Sequence, residues 1–299
     1  MEGAGKTRRS RGEKRLISHR YGLTLRSDRE QNRNDRHIES YSPAVTQSSI
    51  LASLRAELSA IEGGHEGRRR EVLPFGTGGI DSQLANGGLR LDALHEVTAA
   101  SPRMGDDAAA TLFLAGIAAR AWGPVLWIVR RRDLFAPGLY QAGLSPERVL
   151  YAEAADDAEV LALMEEGLRH RALGAVIGEA RRVGMASTRR LQLAAEGGRT
   201  IALLMKRHAS TRSGETTDPL GAPSAAVTRW RIATAPSAPL PTAGIGRARW
   251  NLSLVRQRGG EPFALTVEAC DETGRLALPA RLVDRPGQAG RAHPRTAAA

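Results

Sequence analysis

The feature that most constrains the fold is an alternation of short apolar runs with amphipathic segments between residues 72 and 234. The apolar runs are uninterrupted, as is typical of strands buried on both faces of a parallel sheet. The segments between them carry apolar residues at helical spacing, for example Val160, Met164 and Leu168. This alternation predicts βαβ units and therefore an α/β fold with helices on both faces of the sheet. The predicted strands are 93–98, 125–129, 148–152, 175–178, 200–205 and 227–234, and the predicted helices are 108–121, 156–171 and 187–196.

The pattern changes on both sides of this core. Residues 249–256, 263–269 and 275–279 alternate apolar and polar side chains between turn residues, which predicts a C-terminal antiparallel β-meander. Residues 1–46 have eleven Lys and Arg against six Asp and Glu and few periodic apolar positions, which indicates disorder. We therefore expect a disordered basic extension at 1–46, a helix and linker at 47–71, the core at 72–234, the meander at 235–283 and a disordered tail at 284–299.

Composition excludes several functional classes. The single cysteine, Cys270, excludes an intramolecular disulfide framework and a cysteine-rich zinc site, and the seven histidines show no metal-ligand spacing. No apolar run is long enough to cross a bilayer, and the basic N-terminus has no apolar segment of a secretory signal. We expect a cytoplasmic protein without a metal, a cofactor or a membrane partner. The net charge of +11 favours polyanionic partners.

The loop after the first core strand carries a defective phosphate-binding pattern. A P-loop has the form G-x-x-x-x-G-K-[ST] between a strand and a helix. Here Gly105 takes the second glycine position and Ala100 the first, while Asp106 replaces the lysine and Asp107 the hydroxyl residue. Two carboxylates repel a triphosphate, and at a helix N-terminus they favour a capping role. The sequence therefore predicts that the chain does not hydrolyse ATP.

Several ordered motifs resemble a known family. G-T-G-G-I-D at 76–81, G-G-L at 87–89 and L-H-E-V at 94–97 resemble the entry to the RecA ATPase core. Together with L-A-S-L-R-A-E-L at 51–58 and R-W-N-L-S-L-V-R-Q-R-G-G at 249–260, the defective loop makes the chain most similar to the ImuA family. That resemblance implies a RecA-related accessory factor of SOS mutagenesis. It also implies two partners, an ImuB-like protein and an error-prone polymerase of the replicative type.

The function predicted from this resemblance is a non-catalytic RecA-like adaptor in error-prone translesion DNA synthesis. It would bridge the two polymerase-complex partners, with RecA and DNA as further candidate partners. One alternative is a nucleotide-dependent ATPase in which Arg103 holds the phosphates and the acids are Glu96 and Glu179. Another is a cell-division inhibitor similar to SulA, a group that lacks the closing meander.

Two basic clusters are candidate contacts for DNA or for an acidic partner. One follows the strand at 125–129, at the sheet edge where open α/β sheets bind ligands. The other lies in the segment 206–224, which takes the place of the mobile DNA-binding loop of RecA-like proteins but has no aromatic residue for stacking on bases. The candidate residues are Arg130, Arg131 and Arg132 in the first cluster and Lys206, Arg207, His208 and Arg212 in the second.

Overall fold

The computed structural model describes residues 71–210, 216–240 and 243–279. The predicted extension, N-terminal helix and tail lie outside these residues. The strands are β1 (Val72–Leu73), β2 (Leu89–Arg90), β3 (Leu94–Ala99), β4 (Val125–Val129), β5 (Val149–Glu153), β6 (Ala175–Ala180), β7 (Ile201–Lys206), β8 (Ala209–Ser210), β9 (Thr216–Thr217), β10 (Thr228–Ala235), β11 (Arg249–Gln257) and β12 (Phe263–Glu268). The α-helices are α1 (Gly78–Asp81), α2 (Met104–Arg120), α3 (Ala136–Gln141), α4 (Asp157–Arg169) and α5 (Met185–Gly198).

Eight of the strands form one mixed sheet in the order β12-β11-β10-β3-β7-β6-β4-β5. The six strands from β10 to β5 in this order pair in parallel. The last two strands, β11 and β12, add to β10 in antiparallel pairing. The predicted fold class, a parallel and mixed sheet followed by antiparallel C-terminal strands, is confirmed. Because the six parallel strands run in one direction, their carboxyl ends share one edge of the sheet.

Side chains alternate between the two faces of the sheet, and helices cover both faces. On one face Val97, Trp127 and Leu203 join a core with Phe113 and Ile117 of α2. On the other face, Ile128, Val176 and Leu204 form a second core with apolar residues of α4 and α5. Each of these fully buried side chains contributes about 2 kcal/mol through removal from water. These two cores fix the ends of the central strands relative to the first turn of α2.

The few aromatic side chains concentrate where β10 meets α2. The Phe113 ring centroid lies 5.9 Å from that of Phe75 and 5.6 Å from that of Trp230. Phe263 of β12 meets Trp230 edge-on at 5.8 Å. Such pairs add about 0.5–1.5 kcal/mol beyond the area they bury. The aromatic cluster thereby joins the antiparallel strands to the parallel core.

Two predicted features at the chain's C-terminal half are corrected. The third meander strand, predicted at 275–279, contributes only an isolated bridge between Glu268 and Ala277. The Asp271 carboxylate accepts the backbone N–H groups of Thr273 and Arg275, so this segment begins in a tight turn. The segment 206–224, predicted as a loop without regular structure, includes the last residue of β7 and the short antiparallel pair β8–β9.

Candidate functional site

A polar cleft of about 230 Å³ lies at the carboxyl edge of the parallel strands. Its walls come from the segments that follow β3, β4, β6 and β7, so four adjacent strands contribute to it. Open α/β sheets bind their ligands at this edge. The residues that line the cleft are Pro102, Asp107, Arg130, Arg131, Asp133, Glu179, Arg181, Arg207 and His208.

Asp106, at the lysine position of the phosphate-loop pattern, does not line this cleft. Its carboxylate accepts the Ser101 hydroxyl at 2.6 Å and both the backbone N–H and the hydroxyl of Thr234 at 2.8 Å. Burial raises the pKa of Asp106, but these hydrogen bonds and the charge of Arg103 outweigh burial and hold the pKa below its usual range. The residue therefore anchors the loop to β10 as a carboxylate.

Asp107, at the hydroxyl position of the same pattern, belongs to an ion cluster with Arg207 and Glu179. Arg207 donates to Glu179 Oε2 through Nε at 3.0 Å and Nη2 at 2.7 Å, and its Nη1 donates to Asp107. The other oxygen of Glu179 accepts the Trp127 indole N–H at 2.9 Å. Burial lowers the pKa of Arg207, but the two carboxylates outweigh burial and raise it. We call these three residues the Arg207 triad.

The contacts of Asp106, Asp107 and Glu179 differ from those expected of helix caps or magnesium ligands. The interpretation of Asp106 and Asp107 as helix caps is only partly right. Both lie in the first turn of α2, where the helix dipole favours negative charge, yet neither carboxylate bonds a helix N–H. Glu179, one of the two acids of the ATPase alternative, is buried at 6% exposure. A guanidinium thus joins the two carboxylates that would have to face a magnesium ion.

Glu96, the other acid considered for catalysis, is fully buried inside the sheet layer. It accepts the Ser224 hydroxyl at 2.6 Å and Arg229 Nε at 2.7 Å. Lys206 Nζ lies 3.9 Å from Glu96 Oε1. A carboxylate held this way has no access to a water molecule in the cleft.

Lys206 is not a loop residue that reaches solvent. It is the last residue of β7, and its side chain is only 2% exposed. Burial lowers its pKa, while the charge of Glu96 opposes that shift. The predicted placement of Lys206 in a mobile loop is therefore corrected, because the strand continues one residue further than predicted and turns the ammonium group inward.

The other predicted basic contacts divide between the cleft and its surroundings. Arg130 donates to Asp157 at 3.0 Å, and the largely exposed Arg132 pairs with Glu153. Arg131 is exposed and forms no ion pair with any residue that the structure describes. His208 bonds the Ala99 carbonyl oxygen through Nε2 at 2.9 Å. Arg212 lies outside the described residues.

His95 uses both ring nitrogens in a buried chain of hydrogen bonds. Nε2 donates to the Arg90 carbonyl at 2.8 Å, so Nδ1 accepts the Thr228 hydroxyl at 2.7 Å. The Thr228 oxygen in turn accepts the Trp230 indole N–H. Burial lowers the pKa of His95 to about 4, so the ring is neutral at physiological pH. This chain ties β3 to β10 and takes no part in the cleft.

Sequence reasoning missed how Glu179 and Arg207 meet. Glu179 lies near the end of β6, and Arg207 follows β7. Their contact could have been predicted only if β6 and β7 had been known to be neighbours in the sheet. It also missed an exposed apolar surface beside the cleft, where Met104 is 87% and Phe135 71% exposed.

Within residues 71–210, 216–240 and 243–279, no three His, Cys, Asp or Glu side chains gather as a metal-ion site. None of the helices in this part of the chain has the length and apolar character needed to span a membrane.

Comparison with known proteins identifies close relatives. The chain is 39% identical over 221 residues to proteins named ImuA from two strains of Caulobacter vibrioides, NA1000/CB15N and ATCC 19089/CB 15. The match covers 72% of this chain and 89% of each relative. No protein-family model matches. The crystal structure of SulA from Pseudomonas aeruginosa is 25% identical and covers 38% of this chain and 97% of that one. Its TM-score of 0.33 is too low to bear on fold or function.

Proposed function

The chain belongs to the ImuA family, and from this premise we propose that it serves SOS mutagenesis as a non-catalytic adaptor whose nucleotide site is closed. Its partners would be an ImuB-like protein and an error-prone polymerase of the replicative type. RecA and DNA are further candidate partners. The core would be a RecA-like domain that retains the fold but has no lysine or hydroxyl residue at the phosphate-binding positions of the loop.

The Arg207 triad is the observation that carries this proposal. A nucleotide-hydrolysing site of this type needs a lysine for the phosphates, and a hydroxyl and an acid for magnesium. The loop has Asp106 and Asp107 instead, and Arg207 supplies the positive charge between Asp107 and Glu179. Placing a magnesium ion there would mean expelling a guanidinium that is 19% exposed. The ion would therefore have to compete with Arg207 for both carboxylates, which opposes nucleotide binding before any contact with phosphate is made.

The ATPase alternative assigns the phosphates to Arg103, but the position of this residue does not support that assignment. It is the exposed N-cap residue of α2 and is not among the residues that line the cleft. A lone arginine also provides no ligand for magnesium. These positions support a role in which the carboxyl edge of the sheet binds other macromolecules.

The test is assembly of the full chain with the ImuB-like protein and the polymerase of its own organism, followed by gel filtration. We expect a stable complex whose yield is the same with Mg-ATP, with a non-hydrolysable analogue and without nucleotide. The ATPase rate of the complex should equal that of the partners alone. Assembly that requires ATP, or hydrolysis that appears only when this chain is added, would contradict the proposal.

A further inference from the structure

An apolar groove of about 300 Å³ lies between the first turns of α2 and the helix α3. Large hydrophobic side chains stand open at its mouth, since Met104 is 87% and Phe135 71% exposed. Contiguous exposed apolar surface rimmed by polar residues marks interaction sites, and methionine is common at such binding surfaces. The apolar lining of this α2–α3 groove consists mainly of Met104, Ala108, Leu112, Leu134, Phe135 and Leu139.

The α2–α3 groove is continuous with the polar cleft. Asp107, Asp133 and Arg207 line both concavities. Arg131 and Arg181 line the cleft but not the groove; both are exposed, and neither forms an ion pair with a residue in the described part of the chain. We call these two residues the arginine rim, and the apolar groove opens into the cleft that they line.

The other two arginines of the cleft are already paired. Arg207 is held between two carboxylates, and Arg130 is bonded to Asp157. Among the arginines that line the cleft, Arg131 and Arg181 thus have positive charge to offer to a partner. Complementary charge at the border of an apolar contact fixes the register of a partner and excludes wrong ones.

From this arrangement we propose that the groove and the arginine rim together bind a short peptide segment of a partner protein. A bulky apolar side chain of that segment enters the α2–α3 groove, and carboxylates beside it in sequence contact Arg131 and Arg181. This inference rests on the proposed function in one respect, namely that no nucleotide occupies the cleft.

The lining of the groove favours a peptide over a nucleic acid. Apolar side chains make up most of its wall, and its volume is at the lower end of ligand pockets, which suits one large side chain. Asp107 and Asp133 stand where the groove meets the cleft. A phosphodiester backbone would pass against these carboxylates, whereas a peptide can place its carboxylates beyond them at the rim.

The experiment is selection of a random peptide library, displayed on phage, on the immobilised full chain. We expect the enriched peptides to share Leu, Met, Phe or Trp next to Asp or Glu. Fluorescein-labelled synthetic copies of the enriched peptides are then titrated with the chain by fluorescence polarisation.

Surface variants and matched controls locate the binding site. Phe135→Ala and Met104→Ser should each weaken the affinity about tenfold or more, as should Arg131→Glu combined with Arg181→Glu. Trp122→Ala and Arg171→Glu change an equally exposed aromatic residue and another exposed arginine away from the site, and should leave the affinity unchanged. Circular dichroism checks that each variant is folded, as expected for exposed positions.

The proposal is overturned if no peptide is enriched, if the enriched peptides lack the acidic neighbour, or if the groove and rim variants bind them as the controls do. Displacement of the peptide by single-stranded DNA at equal affinity would assign the surface to nucleic acid instead. Displacement by Mg-ATP would contradict the proposed function and leave the peptide site in place, so the two failures are distinguishable.

Discussion

Arg207 determines which charged groups of the cleft are available to a ligand. Its guanidinium forms ion pairs with both Asp107 of α2 and Glu179 of β6. The sequence predicted the loss of the P-loop lysine and hydroxyl, because those positions could be read directly from residues 100–107. It did not predict the triad, since Arg207 was assigned to a mobile loop and the neighbourhood of β6 and β7 is set by the whole sheet.

We predict that Arg207→Ala lowers the free energy of unfolding by about 2 kcal/mol, because two carboxylates lose their shared partner. The expected loss is below that of a fully buried pair, since the Asp107 side chain is 34% exposed to solvent screening. Urea denaturation measures it. Arg131→Ala is the matched control and should change stability by less than about 0.5 kcal/mol. Equal effects of the two substitutions would mean that Arg207 forms no such triad in solution.

At the scale of elements, predictions succeeded where apolar periodicity is strong and failed where it stops. The strand at 125–129 matches β4, and the helices at 156–171 and 187–196 match α4 and α5 within a few residues. Helix α2 begins at Met104, four residues before the predicted start, because its first turn is Met-Gly-Asp-Asp and carries no apolar stripe. The burial of Lys206 beside Glu96 depends on contacts between distant strands, which periodicity does not encode.

Helices α4 and α5 approach closely at one glycine. A Cβ atom on Gly198 would lie 1.7 Å from the Leu168 carbonyl oxygen, while a Cβ on the preceding Gly197 would meet nothing within 4 Å. Gly198→Ala should therefore lower the free energy of unfolding by about 2 kcal/mol, since backbone must move. Gly197→Ala should raise it by about 0.5 kcal/mol through helix propensity. Thermal or urea unfolding of the pair tests the packing, and destabilisation of similar size in both variants would contradict it.

At the scale of the whole molecule, a parallel α/β core is extended by β11 and β12 into a single sheet of eight strands. The edge that binds ligands in such sheets holds an ion cluster in which two carboxylates share one guanidinium and, beside it, an exposed apolar groove. Both features suit the adaptor role that we propose for this member of the ImuA family. Neither suits a site that must bind and release a nucleotide.

Calorimetric titration of the full chain with Mg-ATP tests whether the cleft has lost nucleotide binding. We predict no saturable heat up to about 1 mM nucleotide, a limit that corresponds to less than about 4 kcal/mol of binding free energy. Saturable binding with a micromolar Kd would contradict it, because Arg207 would then have to release Asp107 and Glu179 to a magnesium ion.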